Sequence, residues 1–490
     1  MPDLKKLMLF SHVCNTTSIT GAEKLLLFLA KRLSLYYECS IVVPNEGKLS
    51  ELARSYGVRI IIWDIPLLYG MYTPSEHLSG DVDEVTRGSA VRNTVQLLSE
   101  ERPDYVFVNT CVHLVPSVAA KSLGIPVIWQ ITEVIRDNGH SDITAGIIDR
   151  YSDWIISISE SAASPLRKFS SGKLSLLYPS WNSEEFNRSL WGQHRLQKRR
   201  QWGVSSAEKL VGYISSYLIA EKGPHHFIEA AAELGRKIKK LKFVLIGKEV
   251  NQDFYSSLKQ QVKESGCAER FIFVDHVSDI ESAYSAMDIV VVPSLQREGF
   301  GLTAMEAMII GKPVVAYASG GLEEILKWTG NEHYLVAMGD RRGLAVKVSE
   351  LLEKPGQIEA VGEQNSMQIV ARFGHEAYET RLREIVACIN NLSGCVIPLP
   401  ELPVTDSQSL QTPLSRQRLV EERRRLIHPA SRSARKKQRN GKTNKVRSRS
   451  RGQRKKQVKK LKHKRNFSLQ KHNSGKRRTR NRRTRNRRAG

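Results

Sequence analysis

Two glutamates, Glu298 and Glu306, lie eight positions apart around a glycine-rich turn. The turn places Gly299, Phe300 and Gly301 directly after the first glutamate. Glycine lets a backbone approach a ligand closely, and an ionised carboxylate is an acceptor that suits the paired hydroxyls of a ribose or a hexose. The spacing therefore indicates a site for a hydroxyl-rich ligand.

The flanking segments predict how these residues are positioned. A strand-like apolar run, Ile289–Val292, comes before the turn, and a helix-like stretch, Leu302–Ile309, follows it. In an open α/β sheet, ligands bind beyond the carboxyl ends of the strands, where the free N–H groups of a helix N-terminus attract phosphate. Glu306 lies one turn into that helix, so it can face the same ligand as Glu298. A further strand-like run, residues 313–316, leads to another glycine pair beside the same crevice.

The whole chain alternates short apolar runs with longer amphipathic stretches in two successive blocks. This order predicts parallel sheets that helices cover on both faces. We therefore expect an α/β protein with two Rossmann-like domains that face each other across a cleft. The predicted ranges are 1–185 for the first domain, 205–375 for the second, 376–392 for a closing helix and 396–490 for a disordered tail that is polybasic from about residue 416.

The positive charge of the chain is concentrated in that tail. From Arg416 to Gly490, 33 Lys and Arg residues stand against two acids, a net of +31. Because the whole chain has a net charge of +26, the first 415 residues carry a net of −5. A segment so charged and so poor in aromatic residues cannot bury enough apolar surface to offset its ordering entropy. The sequence therefore predicts a slightly acidic globular protein with a basic appendage.

The cysteines and the hydropathy pattern bear on location. The six cysteines are scattered, with no C-x-x-C pair and no histidines at metal-ligand spacing, which favours reduced thiols in a cytosol over disulfides or a zinc site. The apolar run behind Lys5 and Lys6 is too short for a signal-peptide core. No stretch approaches the roughly 20 apolar residues that span a bilayer. We expect a cytoplasmic protein, or one that is peripheral at the inner membrane face or at a cell or spore surface layer.

A longer motif surrounds the two glutamates. From Pro293 the chain reads P-S-L-Q-R-E-G-F-G-L-T-A-M-E-A-M-I-I-G-K-P-V-V, and G-G-L-E-E-I begins at Gly320. This pattern resembles the GT-B glycosyltransferases that retain anomeric configuration, in the large sucrose-synthase and mannosyltransferase-like family (family 4, group 1). The resemblance extends over residues 4–390 and includes T-G-A-E-K at Thr20–Lys24 and E-K-G at Glu221–Gly223.

The resemblance implies a nucleoside diphosphate sugar as donor and a role for each matching residue. Glu306 would hold the ribose and Glu298 would contact the donor sugar. Lys222 would stabilise the leaving diphosphate, which is the main catalytic demand of such a reaction. Gly21 would lie in a loop that closes over the diphosphate. Backbone amides would come from Phe300, Gly301, Leu302 and Thr303. Enzymes of this family typically need no metal, so the resemblance implies no cofactor.

Two positions depart from the family pattern. The family usually carries an Arg or Lys shortly before the lysine of E-K-G, where this chain has Ser215 and Ser216. Either Lys222 acts alone on the diphosphate, or another base supplies the second contact. The first domain of the family often places a histidine near the donor sugar, whereas this chain offers Gln130, Thr132 and Glu133 around the corresponding strand end.

The sequence thus predicts a retaining hexosyltransferase that uses a nucleotide-sugar donor and a glycan, lipid-linked or protein hydroxyl as acceptor. The alternative is a polyanion-binding structural or surface protein with a vestigial transferase domain, which the missing phosphate-binding base favours. In either case the basic tail is expected to bind an anionic polymer or a membrane surface, since each Lys or Arg near anionic lipid contributes about 1 kcal/mol.

Overall fold

The structure, a computed structural model, describes residues 4–275, 277 and 279–400. The predicted disordered tail lies outside the described residues from residue 401 onward. Within the described part, the strands form two separate parallel sheets that belong to one compact unit. The prediction of two Rossmann-like domains is therefore confirmed.

The first sheet belongs to the first domain. Its strands are β1 (Lys6–Phe10), β2 (Glu38–Val43), β3 (Arg59–Ile62), β4 (Tyr105–Asn109), β5 (Val127–Ile131), β6 (Trp154–Ser157) and β7 (Leu174–Leu176). They are arranged in the order β3-β2-β1-β4-β5-β6-β7. The chain thus winds outward from β1 to one edge, then returns to place β4 on the other side of β1. Leu7 pairs with both Cys39 and Tyr105 across this centre.

The second sheet belongs to the second domain. Its strands are β8 (Lys209–Leu218), β9 (Leu241–Glu249), β10 (Phe271–Val274), β11 (Ile289–Val292), β12 (Val314–Tyr317) and β13 (Leu335–Val336). They are arranged in the order β10-β9-β8-β11-β12-β13, so the reversal falls between β8 and β11. Strand β11 is Ile-Val-Val-Val and is buried along its whole length, as expected for a β-branched strand covered by helices on both faces.

Helices connect the strands within each sheet. In the first half of the chain they are α1 (Gly21–Leu33), α2 (Lys48–Ser55), α3 (Leu78–Arg87), α4 (Ser89–Glu101), α5 (Leu114–Ser122), α6 (Ser141–Arg150), α7 (Glu160–Ala163) and α8 (Arg167–Ser170). In the second half they are α9 (Trp191–Gln201), α10 (Pro224–Lys237), α11 (Gln252–Glu264), α12 (Ile280–Ala286), α13 (Leu302–Ile309), α14 (Gly321–Trp328), α15 (Arg341–Glu353), α16 (Gln357–Phe373) and α17 (His375–Asn390). None of the described helices is long and apolar enough to cross a lipid bilayer.

A basic segment, helix α9, joins the two domains and packs on the second. The Arg199 guanidinium is buried and lies 3.1 Å from the carboxylate of Asp288, which Arg195 also contacts at 2.6 Å. The charges of this stretch therefore serve packing, since a buried arginine needs its carboxylate partner.

The last helix returns to the first domain. Side chains of α17, among them Leu382 and Ile389, are buried in the same apolar cluster as Leu26 of α1. Arg32 of α1 forms an ion pair with Glu379 of α17 at 2.5 Å. Beyond the helix, the amide of Ile397 donates to the carbonyl of Lys121 at 2.9 Å, so described contacts to the first domain continue into the segment predicted to be tail.

Candidate functional site

Each sheet has a point at its carboxyl edge where the strand order reverses. In the first sheet this point lies between β1 and β4, and in the second it lies between β8 and β11. Ligands of open α/β sheets bind in the crevice outside such a reversal, because the loops on either side diverge there. Lys222 follows β8 and Glu298 follows β11, so both lie at the reversal of the second sheet.

The predicted pair Lys222 and Glu298 is brought together by this topology. The Lys222 Nζ lies 2.7 Å from Glu298 Oε1, and both side chains are partly buried. The backbone of Glu298 is fixed from the neighbouring loop, because its carbonyl accepts from the amide of Gly321 at 2.8 Å. The two predicted catalytic residues therefore form one ion pair on a well-supported loop.

The turn after Glu298 leads into α13. Gly301 has φ 103°, a conformation that favours glycine, and a Cβ there would lie 2.6 Å from the Leu322 side chain. The first amides of a helix have no partner within it, so those of Leu302 and Thr303 are available to a phosphate or a sugar oxygen. The ring of Phe300 is 2% exposed and packs against Phe373 at 5.3 Å. Phe300 therefore anchors the turn through its side chain and leaves only its backbone to the site.

Glu306 lies one turn into α13 and has partners from two domains. Its Oε1 lies 3.0 Å from the Nζ of Lys24, which belongs to α1 of the first domain. Its Oε2 accepts from the hydroxyl of Tyr284 at 3.1 Å. Lys24 also contacts Glu185 at 3.1 Å. Burial alone lowers the pKa of Lys24, but the two carboxylates outweigh it and hold that pKa above its usual value.

Lys24 and Tyr284 were not among the predicted site residues. Lys24 ends the T-G-A-E-K stretch that resembles the donor loop of the family, and that stretch was the available signal. Tyr284 lies on α12 and is buried, so its sequence position alone indicates a core residue.

The loop predicted to close over the diphosphate lies directly against α13. A Cβ at Gly21 would lie 3.1 Å from the Leu302 side chain. The loop is fixed by a capping box, in which Thr20 caps α1 and Glu23 accepts from the Thr20 amide at 2.8 Å. Glu23 also accepts from the amide of Asn15 at 3.0 Å, so its carboxylate is used within the loop. The first domain thus presents the start of α1 to the start of α13.

Two further contacts join the domains at this edge. A Cβ at Gly299 would overlap the carbonyl oxygen of Thr132, so only glycine fits between the turn after β11 and the end of β5. The carboxylate of Glu324 accepts from the amides of Glu160 and Ser161 at 2.9 and 2.6 Å, at the start of α7. Glu324 therefore caps a helix of the opposite domain, where an anion is favoured.

The crevice of the first sheet is lined by neutral polar groups. Burial lowers the pKa of His12 to about 4 and that of His113 to about 3, so both imidazoles are uncharged at neutral pH. Within the described part of the chain, polar side-chain atoms without a hydrogen-bond partner in this crevice belong to His12, Asn109, Thr110, His113, Gln130 and Thr132. Glu133, at the same edge, accepts from the amide of Cys111 at 3.2 Å, and burial raises its pKa.

The two serines that replace the family's second phosphate-binding base lie on β8. Ser215 and Ser216 lie at an irregularity in the pairing of β8 with β9, between Ile214 and Tyr217. These residues bring no positive charge to the second crevice. Among the described residues, no group of three or more His, Cys, Asp or Glu side chains could hold a metal ion.

Comparison with known proteins agrees with this architecture. Residues 194–368 match the family described as glycosyl transferases group 1. The chain is 31% identical over 157 residues to an uncharacterised glycosyltransferase of Methanocaldococcus jannaschii, covering 32% of this chain and 39% of that protein. It is 32% identical over 195 residues to a D-inositol 3-phosphate glycosyltransferase of Corynebacterium aurimucosum, covering 39% of this chain and 45% of that protein. The chain thus spans less than half the length of these curated relatives.

A solved structure with a similar fold is that of the Anabaena protein HepE, crystallised with UDP and with UDP-glucose. The TM-score is 0.64 at 21% identity, and the match covers 79% of this chain and 100% of that one. Two facing parallel sheets with this topology define the GT-B fold. Within this fold, residues 194–368 are the part that is similar to the glycosyl transferases of group 1.

Proposed function

We propose that the protein transfers a hexose from a nucleoside diphosphate sugar to a hydroxyl of a glycan, a lipid-linked carrier or a protein, with retention of configuration. In this reaction the bond from the anomeric carbon to the diphosphate breaks, a bond to the acceptor oxygen forms, and the proton of the acceptor hydroxyl passes to the leaving diphosphate. The observation that carries the proposal is the Lys222–Glu298 ion pair, 2.7 Å long, at the strand reversal of the group 1 domain.

The donor would lie along the start of α13. Glu306 would bind the ribose hydroxyls, and Glu298 would contact the hexose. The amides from Phe300 to Thr303 would bind the diphosphate, because the first turn of a helix attracts anions. Lys222 would leave Glu298 to stabilise the charge that develops on the leaving diphosphate. Loss of one such electrostatic contact typically costs a factor of roughly 100 to 1,000 in rate.

The acceptor would approach from the crevice of the first sheet. The contact between Gly299 and the Thr132 carbonyl brings that crevice beside the turn that carries Glu298. Buried polar atoms without partners in the described residues, such as those of Gln130 and Asn109, are costly unless a ligand satisfies them. Neutral groups of this kind suit the hydroxyls of a sugar or polyol.

The solved relative bound to UDP and UDP-glucose supports a donor of the same chemical class. A binding screen identifies the nucleotide base and the sugar that this chain uses. Full-length protein would be heated with UDP-, GDP- and ADP-sugars, and a rise in melting temperature with one nucleotide class is the expected result.

The catalytic test uses Lys222→Ala and Glu306→Ala with the donor that binds. Both variants should keep a cooperative melting transition and lose at least 99% of transfer and donor hydrolysis, since each removes a charge from the donor site. Lys237→Ala is the matched control, because Lys237 ends the helix α10 that Lys222 precedes and pairs with Glu233 on its surface. Wild-type rates in both site variants would refute the proposal.

The second candidate is a polyanion-binding structural or surface protein in which the transferase domain is vestigial. The observation that favours it is the contrast between a tail of +31 and a remainder of −5, together with uncharged Ser215 and Ser216 in the second crevice. In that case none of the nucleotide sugars would stabilise the protein, while the full chain would bind heparin in a salt-sensitive way. The cytoplasmic, membrane-peripheral or surface location predicted from the sequence is compatible with either candidate function.

A further inference from the structure

The carboxylate proposed for the ribose is already bonded to a lysine of the other domain. Lys24 lies 3.0 Å from Glu306 and 3.1 Å from Glu185. Its side chain is 29% exposed and that of Glu306 is 15% exposed, so the contact is partly shielded from water. Because Tyr284 occupies the other carboxylate oxygen, a ribose that bonds both oxygens of Glu306 competes with the Lys24 ammonium.

The charges around the site make this displacement significant. Two lysines, Lys24 and Lys222, face three carboxylates, those of Glu185, Glu298 and Glu306, in the two ion-paired groups. These five side chains sum to −1, whereas a nucleoside diphosphate sugar brings two negative charges. Both lysines are occupied by carboxylates, so an incoming diphosphate gains a close positive charge only where one of these ion pairs opens.

The position of Lys24 limits where its ammonium can go. It lies in the first turns of α1, whose first residue, Gly21, would place a Cβ 3.1 Å from Leu302 at the start of α13. The start of α13 is where helix amides attract phosphate. A lysine carries its charge on a flexible four-carbon stem, so an ammonium displaced from Glu306 could keep Glu185 as its partner and turn toward a phosphate at the start of α13.

We propose that Lys24 is a second cation for the donor diphosphate, held on Glu306 until the ribose takes its place. This inference rests on the proposed function, because it requires a ribose on Glu306. It assigns a source for the positive charge that Ser215 and Ser216 do not supply. Lys24 would thereby couple recognition of the ribose to recognition of the diphosphate.

Arg297 is the competing source of that charge. It precedes Glu298 in the turn after β11, and its side chain is exposed. Among the described residues, Arg297 has no ion pair or side-chain hydrogen bond. An arginine free of partners could reach the diphosphate without displacing anything. The experiment therefore includes both residues.

The test compares nucleoside diphosphates with their nucleosides. Dissociation constants of UDP, GDP and ADP, and of uridine, guanosine and adenosine, would be measured by titration calorimetry on the full chain. The variants are Lys24→Met, Lys24→Arg and Arg297→Met. Lys31→Met is the matched control, because Lys31 lies on the same helix with its ammonium over the Tyr56 ring. Thermal melting would verify that each variant is folded.

We expect Lys24→Met to weaken the diphosphate by roughly tenfold or more, the usual loss for one charged hydrogen bond. The nucleoside should bind as well as before or more tightly, because Glu306 is no longer occupied. Lys24→Arg should restore most of the diphosphate affinity, and it keeps the test valid if the methionine variant does not fold. Lys31→Met should change neither constant.

Equal changes for diphosphate and nucleoside in Lys24→Met would overturn the inference, since Lys24 would then act only through Glu306. A selective loss in Arg297→Met alone would overturn it in favour of Arg297. Both results leave the proposed function standing. If none of the three diphosphates binds the wild-type chain, the proposed function fails, and the inference fails with it.

Discussion

His113 is the residue whose environment most constrains the first crevice. Its side chain is almost fully buried, its Nδ1 has no partner in the described residues, and burial lowers its pKa to about 3. His12, its neighbour across the strand reversal, has a pKa lowered to about 4 for the same reason. Charging either imidazole would bring a cation into a site lined with neutral polar groups. The fold therefore keeps both imidazoles uncharged over the physiological pH range.

This environment predicts a loss of stability in mild acid. The folded-state pKa of each histidine lies below the unfolded value of about 6.5. The unfolded chain therefore binds more protons as pH falls, and the free energy of unfolding decreases from about pH 6.5 down to the folded pKa, by at most about 1.4 kcal/mol per pH unit for each group. His113→Gln should remove one such contribution and give a shallower slope between pH 6.5 and 5. Urea unfolding at several pH values measures it.

The control for this experiment is His77→Gln, because the side chain of His77 is 81% exposed. It should keep the wild-type slope. If the His113 variant also keeps the wild-type slope, its imidazole is not held neutral by burial.

At the scale of elements, the start of α13 is the part of the site that backbone geometry determines. Gly301 combines φ 103° with a close approach to Leu322, and α13 begins at the next residue. The direction of its first amides depends on this turn. Phe300 holds the turn in place through the aromatic cluster that includes Phe373.

Gly301→Ala should therefore reduce both stability and donor binding. A left-handed conformation costs a non-glycine residue about 1–2 kcal/mol, and overlap with Leu322 adds to that. Gly356→Ala is the matched control, since Gly356 has φ 77° at the start of α16 but open space around its Cβ position. It should lose a similar amount of stability from the backbone alone and keep full donor affinity. Equal donor affinity in the two variants would contradict the assigned role of the turn.

The sequence predicted the elements with long apolar or amphipathic patterns. Strand β11 and helix α13 have the predicted bounds, because a β-branched run and a glycine-flanked helix are local signals. Strand β8 extends to Leu218 past an irregularity between Ile214 and Tyr217, which only its pairing with β9 defines. The three-residue β7 and two-residue β13 were not predicted, since runs that short have no periodicity.

The site was predictable only within each domain. Glu298 and Glu306 share one motif, so their spacing identified them, and E-K-G identified Lys222. The contact between Lys24 and Glu306 joins residues 282 positions apart. No local pattern specifies a contact of that kind, because it depends on how the two domains face each other.

In the whole molecule, the acidic part of the chain, residues 1–415, and the basic tail from Arg416 have different expected roles. The described residues hold the candidate donor site, and the tail from Arg416 holds a net charge of +31. If the tail only tethers the protein to an anionic surface, a chain ending at Leu399 should transfer sugar at the wild-type rate. It should also elute from heparin at much lower salt, because fewer cations release fewer counterions.

A chain ending at Ser415 is the control, since it lacks only the polybasic part. It should behave like the shorter chain on heparin and like the full chain in transfer. A large loss of transfer in both truncated chains would mean that the tail takes part in catalysis or acceptor binding.

The polypeptide passes between the two domains twice, once between β7 and α9 and again between α16 and α17. Two bodies joined at two points retain, to a first approximation, one rotation about the line through those points. Opening of the cleft then has a single degree of freedom. The Lys24–Glu306 pair, the Glu324 cap on α7 and the contact of Gly299 with Thr132 lengthen together along it. A donor that enters by opening the cleft must therefore loosen all three contacts.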